Sequence, residues 1–157
     1  MSNRKRPANG RNGALDFGVL DSFVGFQLHK ARNQAATALH HMIAPELLPG
    51  HFPILYLIAR NPGCSQSAVA RAVGLDRSSL VPILTRFERK GWITRHAAAD
   101  DKRAYALQLT GDGRKKLERA FALVSSLEDR ISSSLGGPGQ KEMLRLLHRF
   151  QAAFDGR

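Results

Sequence analysis

Three groups of side chains in this 157-residue chain could do chemistry: one thiol, Cys64; two adjacent imidazoles, His40 and His41; and a run of cations and hydroxyls spaced for one side of a helix, Arg77, Ser78, Ser79, Thr85, Arg86 and Arg89. A thiol at a helix start can be activated by the helix dipole, so redox sensing through Cys64 is one reading, and a small buried residue is the favoured one. Neighbouring histidines on a helix point roughly 100° apart and cannot easily share a metal. The chain has no helical His pair four residues apart and no Cys/His cluster, so neither a metal nor another cofactor is expected. Gly-x-Ser-x-Gly, a Walker loop, a dinucleotide glycine fingerprint and a helical zinc-protease motif are all missing, and Gly111-Asp112-Gly113 lacks the lysine and spacing of a phosphate loop. No catalytic residue is assigned, and the chain is read as a non-enzyme.

The cations remain. Net charge is +11, and it is unevenly spread: +4 over residues 1–15, −1 over 16–50, +5 over 51–109 and +3 over 110–157. A basic middle beyond a near-neutral segment suits a polyanion such as double-stranded DNA, although a solvated cationic surface would have the same composition. Hydrophobic residues make up 43%, enough to fill a core. No apolar run approaches the roughly 20 residues needed to cross a bilayer. The basic start, MSNRKRPANGRNG, has no apolar segment of a secretory signal, and a single cysteine excludes an intramolecular disulfide. A basic cytoplasmic protein without a membrane partner is expected.

The elements that must position the cations follow from periodicity and punctuation. Residues 1–14 read as a flexible basic arm. Apolar residues at Leu20, Phe23, Val24, Ala31, Ala35, Leu39 and Met42 predict a helix from Asp16 to about Ile43, with Phe17, Phe26 and Leu28 as a second apolar face. A short helix over Gly50–Ala59 follows, closed by Asn61-Pro62-Gly63. Ser65 can cap a helix to about Val73, Gly74 supplies a left-handed C-terminus, and Asp76 or Ser78 can cap the next helix, whose inner side is Leu80, Ile83, Leu84 and Phe87. Trp92–His96 and Tyr105–Leu109 read as two strands of a hairpin. Thr110 opens a long helix with Leu117, Ala120, Phe121, Val124, Leu127, Ile131 and Leu135 on one stripe. Gly136-Gly137-Pro138 breaks it, and a last helix carries Met143, Leu146, Leu147, Phe150 and Phe154.

Two short helices joined by a glycine turn and followed by a hairpin describe a winged helix-turn-helix. The fold class is therefore mainly α with a small β-hairpin wing: a winged helix-turn-helix lobe over residues 47–109, with a helical dimerisation region over 15–46 and 110–157. The second helix of the pair fits the major groove, and Arg77, Ser78, Ser79, Val81, Pro82, Thr85, Arg86 and Arg89 form its outward set. Proline at 82 removes a backbone donor, so either the helix begins near Ser78 or Ser79, putting Pro82 in its first turn, or the helix bends. Val81 and Pro82 then offer apolar contact to thymine methyls.

The stretches Leu48-Pro49-Gly50-His51-Phe52, Cys64-Ser65-Gln66-Ser67-Ala68-Val69-Ala70-Arg71, Leu75-Asp76-Arg77-Ser78-Ser79, Phe87-Glu88-Arg89-Lys90-Gly91-Trp92-Ile93-Thr94-Arg95, Asp100-Asp101-Lys102-Arg103 and Leu107-Gln108-Leu109-Thr110-Gly111-Asp112-Gly113 resemble the MarR family of bacterial transcription regulators, jointly over Leu48–Gly113. The resemblance implies that Arg77–Lys90 is the recognition helix and that Ser65 and Gln66 meet phosphate. It also places Lys102 and Arg103 in the wing, Arg103 in the minor groove with Asp101 orienting it. Many family members carry Arg or another polar residue where this chain has Pro82.

Apolar residues on two faces of the first helix, and the stripes of the last two, exceed what one subunit covers, which points to a homodimer. The resemblance implies the same, and two recognition helices would address successive major grooves of a pseudo-palindromic operator. It further implies a ligand-responsive repressor whose pocket draws on His29, Lys30, Arg32, Asn33, His40, Phe52 and Tyr56. Aromatic walls with a few cations suit an anionic effector, either an aromatic carboxylate or an acyl-CoA thioester. A nucleic-acid binder without sequence preference is the rival reading.

Overall fold

The computed structural model describes residues 15–43, 47–48, 50–97 and 105–154. The expected basic arm and the wing residues Asp101, Lys102 and Arg103 lie outside the described residues. The chain divides into two compact units, residues 1–35 and 36–157.

In the first unit the helix expected from Asp16 does not start there. The Asp16 carboxylate accepts the Gly18 N–H at 2.9 Å, which takes the backbone into a 3-10 turn, Gly18–Ser22. Phe23 then turns extended (φ −83°, ψ 114°), and helix α1 runs Val24–Ile43. Apolar spacing cannot register a backbone donor captured by a side chain two residues away. Phe17 packs on Phe26 with ring centroids 5.7 Å apart, and Lys30 Nζ lies 5.0 Å from the Phe17 ring centre. Leu15, Val19, Leu20, Phe23 and Val24 are exposed.

The second unit holds the core. Helix α2 is His51–Arg60, one residue later than the sequence predicts at each end, because Gly50 sits before it in a left-handed conformation. Helices α3 (Gln66–Val73) and α4 (Arg77–Arg89) follow, then strands β2 (Ile93–Ala97) and β3 (Tyr105–Leu109). The expected two-stranded hairpin is in fact a three-stranded antiparallel sheet of order β1-β3-β2, because Cys64–Ser65 forms β1 and pairs Cys64 with Leu107 and Ser65 with Ala106. A two-residue strand has no periodicity to detect. β2 and β3 align Ile93 with Leu109 and Arg95 with Leu107. The core joins Ile54, Leu55 and Ile58 of α2, Val69 and Ala70 of α3, Leu80, Leu84 and Phe87 of α4, and Ile93, Leu107 and Leu109 of the sheet.

Helix α5, Gly111–Ala152, begins at a tightly built cap. The Thr110 hydroxyl donates to the Gly91 carbonyl at 2.6 Å and accepts the Gly113 N–H at 3.0 Å. A Cβ on Gly113 would lie 2.0 Å from the Trp92 carbonyl oxygen, so only glycine fits this approach. The expected break occurs at Gly136, whose φ of 66° and ψ of 159° no L-residue adopts without strain. Across it, Ser132 Oγ donates to Gln140 Oε1 at 2.6 Å. Beyond the break, Met143, Leu144, Leu146, Phe150 and Phe154 stay exposed.

Candidate nucleic-acid interface

The helix pair is held at its ends by side-chain caps. Ser65 Oγ accepts the Ala68 N–H at 3.2 Å and opens α3. Gly74, at φ 70°, ends that helix, and Leu75 N–H returns to the Ala70 carbonyl at 2.9 Å. Two residues on, Asp76 opens α4. Its carboxylate accepts the Ser79 N–H at 2.7 Å, the Ser78 hydroxyl at 2.5 Å and the Ser79 hydroxyl at 2.8 Å. These bonds, that of Ser78 first, hold its carboxyl down at about 2. Both serines spend their protons on Asp76 and keep oxygen lone pairs for a partner.

The amphipathic division of α4 is sharp. Leu80, Leu84 and Phe87 have no exposed surface, whereas Arg77, Ser78, Ser79, Val81, Pro82, Thr85, Arg86 and Arg89 all face solvent. Because the helix starts at Arg77, Pro82 is its sixth residue and not part of the first turn. The helix continues through it, and the Ser78 carbonyl loses the N–H it would otherwise receive. His51 packs edge-on against Phe87, ring centroids 5.2 Å apart, and lines a groove with Pro82, Ile83, Thr85, Arg86 and Arg89. Burial, then repulsion from Arg86 and Lys90, lowers its pKa and so favours the neutral ring.

Strand β2 reaches this face through Arg95. Its Nη2 donates to Thr85 Oγ1 at 3.0 Å and its Nε lies 3.3 Å from Glu88 Oε2. Sequence reading passed over Arg95, since a lone strand cation looks like solvated charge. Lys90 Nζ caps the Trp92 ring at 4.8 Å.

Among the remaining expected residues, Ser65 is half-buried, and Gln66, 6% exposed, offers a ligand little of its side chain. In the first unit His29 is hydrogen-bonded to Asn33 at 2.9 Å, Lys30 is held over Phe17, and Arg32 is exposed. In the second unit His40 is exposed, while Phe52 and Tyr56 pack with Phe121 of α5. Tyr56 and Phe121 stack at 14° with centroids 6.1 Å apart. Phe121 reads as a core residue from its stripe, yet it is 48% exposed, which leaves an aromatic face in solvent. Cys64 lies in β1, directly before the Ser65 cap of α3, and burial raises its pKa, the direction opposite to that of an activated thiolate.

Residues 46–104 match the family model described as MarR family. A Thauera aromatica protein named for transcriptional regulation of the hcr operon is 33% identical over 148 residues, covering 93% of this chain and 89% of its own length. Among solved structures, the transcriptional repressor CouR bound to a 23-mer DNA duplex aligns at TM-score 0.81 with 31% identity over 88% of this chain and 99% of its own. The same repressor bound to p-coumaroyl-CoA aligns at TM-score 0.80 with 30% identity, covering 88% of this chain and 98% of its own.

Proposed function

The chain belongs to the MarR family of non-enzymatic, DNA-binding transcription regulators, and from that premise we propose that it is a sequence-specific, ligand-responsive repressor acting as a homodimer in the bacterial cytoplasm. The carrying observation is the exposed polar face of α4 over a fully buried apolar one. A helix with this division can enter a major groove while its back stays in the core. Arg77, Arg86 and Arg89 supply cations for phosphate and base edges, Ser78, Ser79 and Thr85 supply hydroxyls, and Val81 and Pro82 supply apolar contacts. Lys102 and Arg103 serve the wing, with Asp101 orienting Arg103.

The exposed apolar residues of α5 beyond Gly136 support self-association, since burying them removes apolar surface from water. Paired lobes then address grooves about 34–36 Å apart on a pseudo-palindromic operator. CouR, solved with p-coumaroyl-CoA, favours an aromatic acyl-CoA thioester or its parent aromatic carboxylate as the effector. The stacked Tyr56–Phe121 face with Phe52 beside it provides the aromatic wall.

Selection of bound sequences from random duplex DNA tests this reading. An inverted repeat retained against excess random competitor supports it, and equal binding to all duplexes replaces it with an architectural binder. A thermal-shift panel of aromatic acids and their CoA thioesters tests the effector, and no stabilisation by any of them removes it. Arg103→Ala should lower the slope of log affinity against log salt by about one unit if it neutralises phosphate.

A further inference from the structure

Resting on the reading of α4 as the groove-reading helix, we infer that Arg95 is a positioning residue for base recognition: from strand β2 it fixes the Thr85 hydroxyl as a hydrogen-bond donor aimed at an acceptor-bearing base edge.

A threonine hydroxyl offers one proton and two lone pairs. On a helix its usual internal partner is the carbonyl four residues back. Thr85 is engaged differently: it accepts from Arg95 Nη2 at 3.0 Å, and among the described residues nothing takes its proton. The guanidinium is itself constrained. The Arg95 side chain is only 15% exposed, and its Nε lies 3.3 Å from Glu88 Oε2. That N–H is buried and makes no hydrogen bond among the described residues, so the attraction to Glu88 is one of charge and not of an aligned bond. A delocalised, planar group caught between a carboxylate and a hydroxyl one helical turn apart has little freedom to turn.

The consequence is polarity. With one lone pair held by the Arg95 guanidinium, which draws on the oxygen and strengthens its O–H as a donor, and with no acceptor on that proton among the described residues, Thr85 offers its proton outward in preference to its second lone pair and matches guanine N7 or O6, adenine N7 or thymine O4. A freely rotating hydroxyl would equally accept from cytosine N4 or adenine N6 and would discriminate less. Ser78 and Ser79 are set the opposite way, as acceptors, by Asp76. One helix thus carries hydroxyls of both polarities, each fixed by a charged neighbour.

Sequences are selected from a random duplex pool with the full chain and with Thr85→Val, Arg95→Met, Arg95→Lys and the double variant Thr85→Val/Arg95→Met, with Arg86→Ala as the control on α4. Thr85→Val and Arg95→Met should each relax the same single half-site position, weakening the preference there about fivefold. The double variant should relax it no further. Arg95→Lys, which keeps the charge without the planar fork, should relax that position as well and decides the matter if the methionine variant does not fold. Retention of the full preference by the folded Arg95 variants, while Thr85→Val relaxes it, overturns the proposal. An even loss of affinity across all sequences, with a salt slope smaller by about one, also overturns it by making Arg95 a phosphate contact. An unaltered position in Thr85→Val beside an altered one in Arg86→Ala shows that Thr85 does not read. Should Arg86→Ala and Thr85→Val both leave the selected sequence unchanged, the reading of α4 fails with it.

Discussion

Helix α4 and the part of α5 beyond Gly136 are both amphipathic, but only α4 has its apolar face covered by other described residues of the chain. On α4 the apolar face of Leu80, Leu84 and Phe87 is fully buried and the polar face is left in solvent. On distal α5 the apolar face itself is exposed, with Met143, Leu144, Leu146, Phe150 and Phe154 all open, and the internal ties are local, as between Arg145 and Glu142 at 2.7 Å. Periodicity in a sequence identifies which face is apolar and says nothing of what will cover it. The covered face is a matter of folding; the uncovered one is where the proposed self-association would act.

Substitutions separate the two. Phe87→Ala should cost about 3–5 kcal/mol of protomer stability, read from the denaturant midpoint, because it removes a wholly buried ring that also contacts His51 and Trp92. Phe150→Asp with Leu146→Asp should leave the lobe folded and shift sedimentation from dimer to monomer, with operator affinity falling about 10²-fold as the two half-sites become independent. A variant of α5 that unfolds as readily as Phe87→Ala would erase the distinction between the regions. Arg86→Ala and Arg89→Ala should leave stability and dimerisation unchanged and cost about 1–3 kcal/mol of discrimination at a contacted base. Equal loss on random duplex would assign them to phosphate.

The smallest effects are those of pH. His51 has a folded pKa below its unfolded value of 6.5, so the unfolded chain binds more protons; stability is fully present above pH 6.5 and declines as pH falls through the folded value. His51→Phe should flatten that part of the stability profile. Asp76 is likewise depressed, from 3.8 to about 2, so its capping is complete above pH 4 and lost toward pH 2. Asp76→Asn, an alternative cap without charge, should remove this acid dependence and keep α4 intact.

What was legible in the sequence is what local chemistry decides. Ser65, Asp76 and Thr110 cap the helices that their positions suggest, and the break falls at Gly136. The apolar set of α4 could be read from a spacing of three and four. The rest needed partners distant in the chain. Strand β1 exists because Leu107 and Ala106 pair with Cys64 and Ser65. Arg95 is sheltered because α4 packs against β2, and Phe121 departs from its stripe by standing exposed beside Phe52 and Tyr56. The start of α1 failed for another reason: Asp16 captures a donor locally, which an apolar pattern cannot register.

The junction of β2, β3 and α5 admits no give. Thr110 is bolted to the Gly91 and Trp92 carbonyls, and Gly113 sits where even a methyl group would collide with Trp92. The first 25 residues of α5 are thereby keyed to the sheet at their root, as a shaft is to its hub. The helical run is interrupted at Gly136, so on the proposed ligand-responsive reading a reorientation of the lobe would turn a rigid lever and not loosen its root.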